Sequence, residues 1–198
     1  MTWTLFDYGV GNLHSLRKAL DAVGAETAVT TDPADLEDAT VAVLPGVGAF
    51  GHVMESLAPA ADILRRRHAD GRPVLGVCIG MQVLYEGSDE APGVPGLGIL
   101  EGTVRALPSD AGKIPHMGWN TLDDAQGPLA DAAGQHVYYV HSYAAPVGAS
   151  TMATTHYGTR FAAAVHAGNT VAFQFHPEKS SRTGHRILAA ARALLETP

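Results

Sequence analysis

Val74-Leu75-Gly76-Val77-Cys78-Ile79-Gly80-Met81-Gln82 is an apolar run that passes into a helix through Gly-x-Cys-x-Gly. A sharp strand-to-helix turn of this kind forces its central residue into strained backbone geometry and lifts that side chain above the carboxyl end of the strand. Glycines two residues to either side remove the clashes that such a turn creates. The N-terminus of the following helix favours negative charge, so a cysteine there has ready access to its thiolate, and the first helical amides can hold a developing oxyanion. A lone cysteine is more often a small buried hydrophobe. The flanking glycines and the strand-to-helix position single out Cys78 as a nucleophile.

Towards the N-terminus, residues 2–7 read as a first strand, and Gly9-Val10-Gly11-Asn12 turns into a helix carrying Leu13, Leu16, Leu20 and Val23 on one stripe, stopped by Gly24. A second strand over 26–30, a short helical link over 33–38 and a buried strand over 41–44 follow. The next helix carries Val53, Leu57, Ala60, Ala61 and Leu64, ahead of the strand over 73–77. This order predicts an α/β fold: an open, doubly wound, mainly parallel sheet with helices on both faces. Beyond Cys78, strands over 102–107, 118–122, 136–143, 151–156, 161–166 and 170–175 predict a mixed or antiparallel extension of that sheet in the C-terminal half. A helix over 182–195 closes the chain. Residues 91–98, with two Pro and three Gly, read as a loop and not a linker, so 1–198 is expected to be one domain.

Composition excludes several functions. Hydrophobic residues make up 46% of the chain and charged residues 17%, too apolar for disorder. A net charge of −7 argues against a nucleic-acid partner. The one basic run, Arg65-Arg66-Arg67-His68, reads as the solvated end of a helix. A single cysteine cannot form an internal disulfide and fits a cytoplasmic location. The N-terminus lacks the features of a signal peptide, and no apolar run approaches the roughly 20 residues of a membrane span. The histidines show no metal-binding spacing, and Gly9-Val10-Gly11 lacks the third glycine of a dinucleotide loop, so neither metal nor cofactor is expected.

Two further segments complete a site. In Phe173-Gln174-Phe175-His176-Pro177-Glu178 a strand ends at a proline, which leaves His176 at a strand terminus, where open sheets gather their active sites. A cysteine nucleophile needs a base that works near neutral pH, and that base needs an acceptor on its other ring nitrogen; His176 and Glu178 supply both. Pro45-Gly46-Val47-Gly48 follows a buried strand, and its glycines let backbone N–H groups approach a reacting carbonyl.

Taken together, the loop, the Gly-x-Cys-x-Gly turn and the C-terminal His-x-Glu resemble the class I (triad) glutamine amidotransferases. Pro45 to Gly51, Pro115-His116-Met117-Gly118-Trp119-Asn120 and Phe175-His176-Pro177-Glu178-Lys179-Ser180 narrow the resemblance to the glutaminase subunits of imidazole glycerol phosphate synthase. The resemblance implies that Cys78 attacks the side-chain amide of glutamine, His176 moves the proton and Glu178 orients His176. It implies that the backbone at Val47, Gly48 and Ile79 holds the oxyanion, and that Pro45, Gly46, Gln82, Glu90, Ser142 and Tyr143 bind the substrate. It also implies a partner, a cyclase subunit with a (β/α)8 barrel, met through Asn12, Trp119, Tyr138 and Lys179. The competing readings are a glutaminase subunit of another synthase, such as anthranilate or pyridoxal phosphate synthase, a noncatalytic binding module, and a free-standing cysteine hydrolase.

Overall fold

The computed structural model describes residues 2–9 and 12–196. Val10 and Gly11, in the first predicted turn, lie outside these residues. The central sheet has seven strands in the order β10-β11-β12-β4-β3-β1-β2. They are β1 (Thr2–Phe6), β2 (Glu26–Thr30), β3 (Val41–Leu44), β4 (Val74–Val77), β10 (Thr151–Tyr157), β11 (Thr159–Ala167) and β12 (Thr170–Phe173). The five strands from β2 to β12 run parallel, and β11 and β10 add an antiparallel edge.

Alternation along these strands builds two cores. Trp3, Leu5, Val41, Val43, Leu75, Val77, Val171 and Phe173 point to one face, where α1 (Leu13–Ala22) and α6 (Ser181–Glu196) cover them. Phe6, Ala42, Leu44, Val74 and Ala172 point to the other, under α2 (Asp35–Asp38), α3 (Phe50–Leu57) and α4 (Ala61–Ala69). Strands buried on both faces need near-continuous apolar sequence, and β3 and β4 have it.

Three expectations are refined. The single helix read through Val53 to Leu64 is two helices, α3 and α4, joined by a 3₁₀ turn at Ala58–Ala60. Pro59 sits in that turn and has no N–H to continue an α-helical ladder. Of the later strands, only β10, β11 and β12 extend the main sheet. β6 (Leu100–Ala106) joins β5 (Tyr85–Ser88) and β9 (Tyr143–Ala144), while β7 (His116–Thr121) pairs with β8 (His136–His141) as a separate ribbon.

The third refinement is a correction. The basic run is not uniformly solvated: Arg67 is 1% exposed. Its guanidinium donates to the carbonyls of Leu36 (2.7 Å), Thr40 (3.3 Å) and Pro73 (2.9 Å), and Arg72 donates to that of Glu37. These carbonyls belong to the C-terminal end of α2, the following turn and the entry to β4. A four-residue helix leaves them without intrahelical donors. Helical periodicity could not reveal this, because two of the acceptors, Leu36 and Thr40, lie about 30 residues away in sequence. Arg67→Ala is therefore expected to destabilise the protein by about 2–4 kcal/mol in urea unfolding, since it leaves buried carbonyls unpaired. Arg66→Ala, which removes only an exposed ion pair to Glu37, should cost no more than about 1 kcal/mol.

Candidate active site

Adjacent parallel strands β3, β4 and β12 end at one edge of the sheet. The residues that follow them are the loop starting at Pro45, the turn at Cys78 and, beyond Gln174 and Phe175, His176. Topology thus brings together three segments spread over 130 residues.

Cys78 has φ 52° and ψ −109°, a conformation an L-residue rarely adopts. Its N–H donates to the Phe173 carbonyl at 2.7 Å, and its own carbonyl accepts from Met81 (2.9 Å) and Gln82 (3.1 Å) at the start of α5 (Ile79–Gln82). A Cβ on Gly76 would lie 2.6 Å from the Gly80 carbonyl oxygen, and one on Gly80 would lie 2.1 Å from that of Leu44. Both glycines are therefore required by close backbone approach. Ile79 opens α5, where N–H groups have no preceding carbonyl to pair with.

The loop after β3 packs directly on this turn. A Cβ on Gly46 would fall 1.9 Å from the Val77 carbonyl oxygen and 2.8 Å from Cys78 Cβ. Gly48 has φ 133°, again a region for glycine. Tyr8, which had no expected role, and Glu90, expected at the substrate, anchor the loop. The buried Tyr8 hydroxyl donates to the Pro45 carbonyl, and the Glu90 carboxylate accepts from the Phe50 amide at 2.9 Å, at the start of α3.

His176 Nδ1 lies 2.8 Å from Glu178 Oε1, and the Glu178 side chain is 4% exposed. His176 Nε2 is buried, has no hydrogen-bond partner of standard geometry, and is the nitrogen left for Cys78. Burial disfavours the imidazolium, but the Cys78 and Glu178 side chains together outweigh it and raise the His176 pKa to about 9. A protonated His176 favours negative charge on the neighbouring sulfur and has a proton to give to a leaving group. The ring is also held by its backbone. The His176 N–H donates to the Tyr138 carbonyl (2.9 Å), Ser180 Oγ donates to the His176 carbonyl (2.6 Å), and the Tyr138 N–H donates to Ser180 Oγ (2.9 Å).

A cavity of about 290 Å³ opens over Cys78. Its walls include Gly46, Val47, Gly48, Ile79, Gln82, Glu90, Ser142 and Tyr143, the residues expected at the oxyanion and substrate positions. Pro45, expected with them, is not in the wall: it is buried, and Tyr8 occupies its carbonyl. Gln82 Nε2 is already committed to the Tyr143 carbonyl (2.8 Å) and Gln174 Oε1 (3.1 Å), so its oxygen is the end left for a ligand. Gln174 Nε2 in turn points to Cys78 Sγ at 3.8 Å. Tyr8 and Gln174 carried no sequence signal of their own, because each acts through a long-range contact.

Of the expected interface residues, Trp119 is 51% exposed on β7 and stands edge-on to the Tyr138 ring of β8, with centroids 6.0 Å apart. Lys179 Nζ lies 5.9 Å from that ring's centroid. Met117 on the same ribbon is 61% exposed. Asn12 is exposed and caps α1, its side chain accepting from the Ser15 amide at 3.2 Å.

The raised His176 pKa fixes the sign of a pH effect. With His176 as the expected proton donor, the proton is present below about pH 9 and lost above it. Hence kcat/KM for glutamine should fall about tenfold per unit above that value. Glu178→Gln, which removes a charge that favours the imidazolium, should move the limb to lower pH. A pH–rate profile of both proteins checks this.

The family model described as glutamine amidotransferase class-I matches residues 4–193. The chain is 48% identical over 195 residues to the imidazole glycerol phosphate synthase subunit HisH of Thermus thermophilus, covering 97% of each chain. It is 45% identical to the HisH subunit of Methanothermobacter thermautotrophicus over 93% of this chain and 94% of that one. A solved glutamine amidotransferase superposes with a TM-score of 0.78 at 20% identity, covering 99% of both chains, which shows a shared fold. The chain belongs to the class I glutamine amidotransferases, within the family of HisH subunits of imidazole glycerol phosphate synthase.

Proposed function

We propose that this chain is the glutamine-hydrolysing subunit of an imidazole glycerol phosphate synthase and works in the cytoplasm as one amidotransferase domain. The observation that carries the reading is that Cys78 lines one cavity with the Gly46–Gly48 backbone while the buried His176–Glu178 pair interacts with the Cys78 side chain. Cys78 Sγ attacks the side-chain amide carbon of glutamine, and the oxygen takes up the charge. Amides of the loop at Val47 and Gly48 and of Ile79 stabilise that oxyanion. His176 gives its proton to the departing nitrogen, which leaves as ammonia, and a glutamyl thioester remains. His176 then accepts a proton from water as the water attacks the thioester; glutamate leaves, and the thiolate and imidazolium are restored. Gln82, Glu90, Ser142 and Tyr143 hold the amino-acid end of the substrate.

Ammonia released into water near neutral pH is mostly protonated and no longer nucleophilic, so the product has to pass directly to a second site. The partner is a cyclase subunit with a (β/α)8 barrel, joined as a heterodimer. It uses the ammonia to make imidazole glycerol phosphate and an aminoimidazole carboxamide ribotide in histidine biosynthesis. Cys78→Ser is expected to lose glutamine hydrolysis by at least about 10³-fold while keeping its fold and its partner binding. The cyclase should still turn over on ammonium salt at high pH without this subunit. Glutamine-dependent turnover by the Cys78→Ser complex would remove the nucleophile assignment.

The docking face contains Asn12, Trp119, Tyr138 and Lys179, and it controls the triad. Tyr138 supports this: its side chain faces outward beside Trp119 and Lys179, while its backbone groups bond to His176 and Ser180. The partner also selects the orientation of the Val47–Gly48 peptide, which in the free subunit turns its carbonyl to the oxyanion site. One oxyanion donor is worth roughly 10²–10³ in rate, enough for a large activation. The glutaminase rate with and without cyclase and its ligand tests this. Tyr138→Ala and Lys179→Ala should reduce the activation or uncouple hydrolysis from ammonia transfer; a free subunit that is already maximally active excludes the gate.

A further inference from the structure

His141 lines the cavity beside Cys78, and His116 lies behind it, yet the triad chemistry uses neither. The two rings belong to one hydrogen-bonded chain whose direction is fixed at both ends. At the inner end, His141 Nδ1 is 2.8 Å from the Tyr143 carbonyl oxygen. A carbonyl only accepts, so that nitrogen carries the hydrogen. At the outer end, Asn120 Nδ2 is 3.3 Å from His116 Nε2. The Asn120 amide cannot be reversed, because its Oδ1 accepts from the Thr121 N–H (2.8 Å) and its Nδ2 donates to the His156 carbonyl (3.1 Å). His116 Nε2 is therefore an acceptor, and the hydrogen of His116 sits on Nδ1, 2.9 Å from His141 Nε2, to which it donates.

A proton added to either ring would set two N–H groups against each other somewhere along this chain. The arrangement thus admits only the neutral state for both histidines. Burial acts in the same direction, pulling His116 down to about 4 and His141 to about 3. The chain continues past the rings. The Tyr143 carbonyl also accepts from Gln82, Gln82 reaches Gln174, and Gln174 reaches the Cys78 sulfur.

Resting on the glutaminase reading of the site, we propose that His116 and His141 are positioning residues for glutamine hydrolysis. They form an uncharged, one-directional tether that holds the 140–143 wall of the cavity against Gln82. A flipped His141 would release the Tyr143 carbonyl, and a protonated one would set its Nε2–H against the His116 donor and put a second positive charge near His176, with which it interacts electrostatically.

Two substitutions separate the tether from simple packing. His116 stacks between Tyr139 (centroids 4.8 Å apart) and Tyr157 (4.0 Å). His116→Phe keeps an aromatic ring there and removes the donor. His116→Asn gives up the ring but offers an N–H close to the lost Nδ1. Assayed with the synthase partner, His116→Phe should raise KM for glutamine about tenfold, the worth of one buried hydrogen bond, with kcat within about threefold of the parent. His116→Asn should stay within about threefold in both. Alkylation of Cys78 by iodoacetamide, which does not need the wall, should be unchanged in either. A parental KM in His116→Phe, or equal damage in both variants, overturns the proposal. A second measurement needs no variant. In ¹⁵N-labelled protein at neutral pH, imidazole shifts should report both rings as neutral Nδ1–H tautomers; an Nε2–H tautomer or an imidazolium at either position overturns it. Cys78→Ser is run alongside: if it retains hydrolysis, the triad reading falls, whatever the His116 variants do.

Discussion

Everything at the active edge depends on the backbone of Cys78 holding φ 52°. A non-glycine residue in such a conformation costs of order 1–3 kcal/mol, and it persists only where its surroundings over-determine it. Here the amide is fixed by Phe173 of β12, the carbonyl by the first turn of α5, and the approach of Leu44 and Val77 by glycines that carry no Cβ. The same packing that forces the strain places the sulfur over the ends of three strands. A side chain at Gly46 or Gly80 would push apart the two backbone segments on which both the turn and the oxyanion loop rest.

A second level of order comes from polar groups buried where water cannot serve them. An unpaired buried donor or acceptor costs about 1–3 kcal/mol, so such groups are expected to form closed sets. Arg67 closes one such set around the end of α2, and Tyr138, His176 and Ser180 close another behind the His176 imidazole. The exceptions are informative. Besides Arg67 Nε, the buried side-chain atoms without a partner among the described residues are His176 Nε2 and Glu178 Oε2, both in the proposed triad. In the proposed reaction His176 Nε2 exchanges a proton with sulfur, substrate and water, and a standing partner there would compete with each of them.

The ribbon of β7 and β8 joins the outer face to this interior. Its alternation sends Tyr138 and Trp119 outward and Tyr139 and His141 inward, so one hairpin carries both an exposed aromatic pair and part of the cavity wall. A shift of that ribbon would be felt at His176 through the Tyr138 backbone and at the cavity through His141. Packed side chains and direct hydrogen bonds, with no flexible linker between them, connect the two faces.

By itself the sequence determined the fold class and the family. The doubly wound order was readable because buried parallel strands require apolar runs and helices require a 3.6-residue stripe. Cys78, His176 and Glu178 were readable because a strained turn and a strand-ending proline leave marks within a few residues. Tertiary structure alone decided what depends on distant partners. It split the second half into an extended sheet and two small ones, buried Arg67 in a run that looked solvated, and set Pro45 aside from the cavity wall because Tyr8 takes its carbonyl. It also gave His116 and His141 their tautomers. No periodicity encodes such features, because a hydrogen bond between residues 25 or 37 positions apart is fixed only when the chain between them has folded.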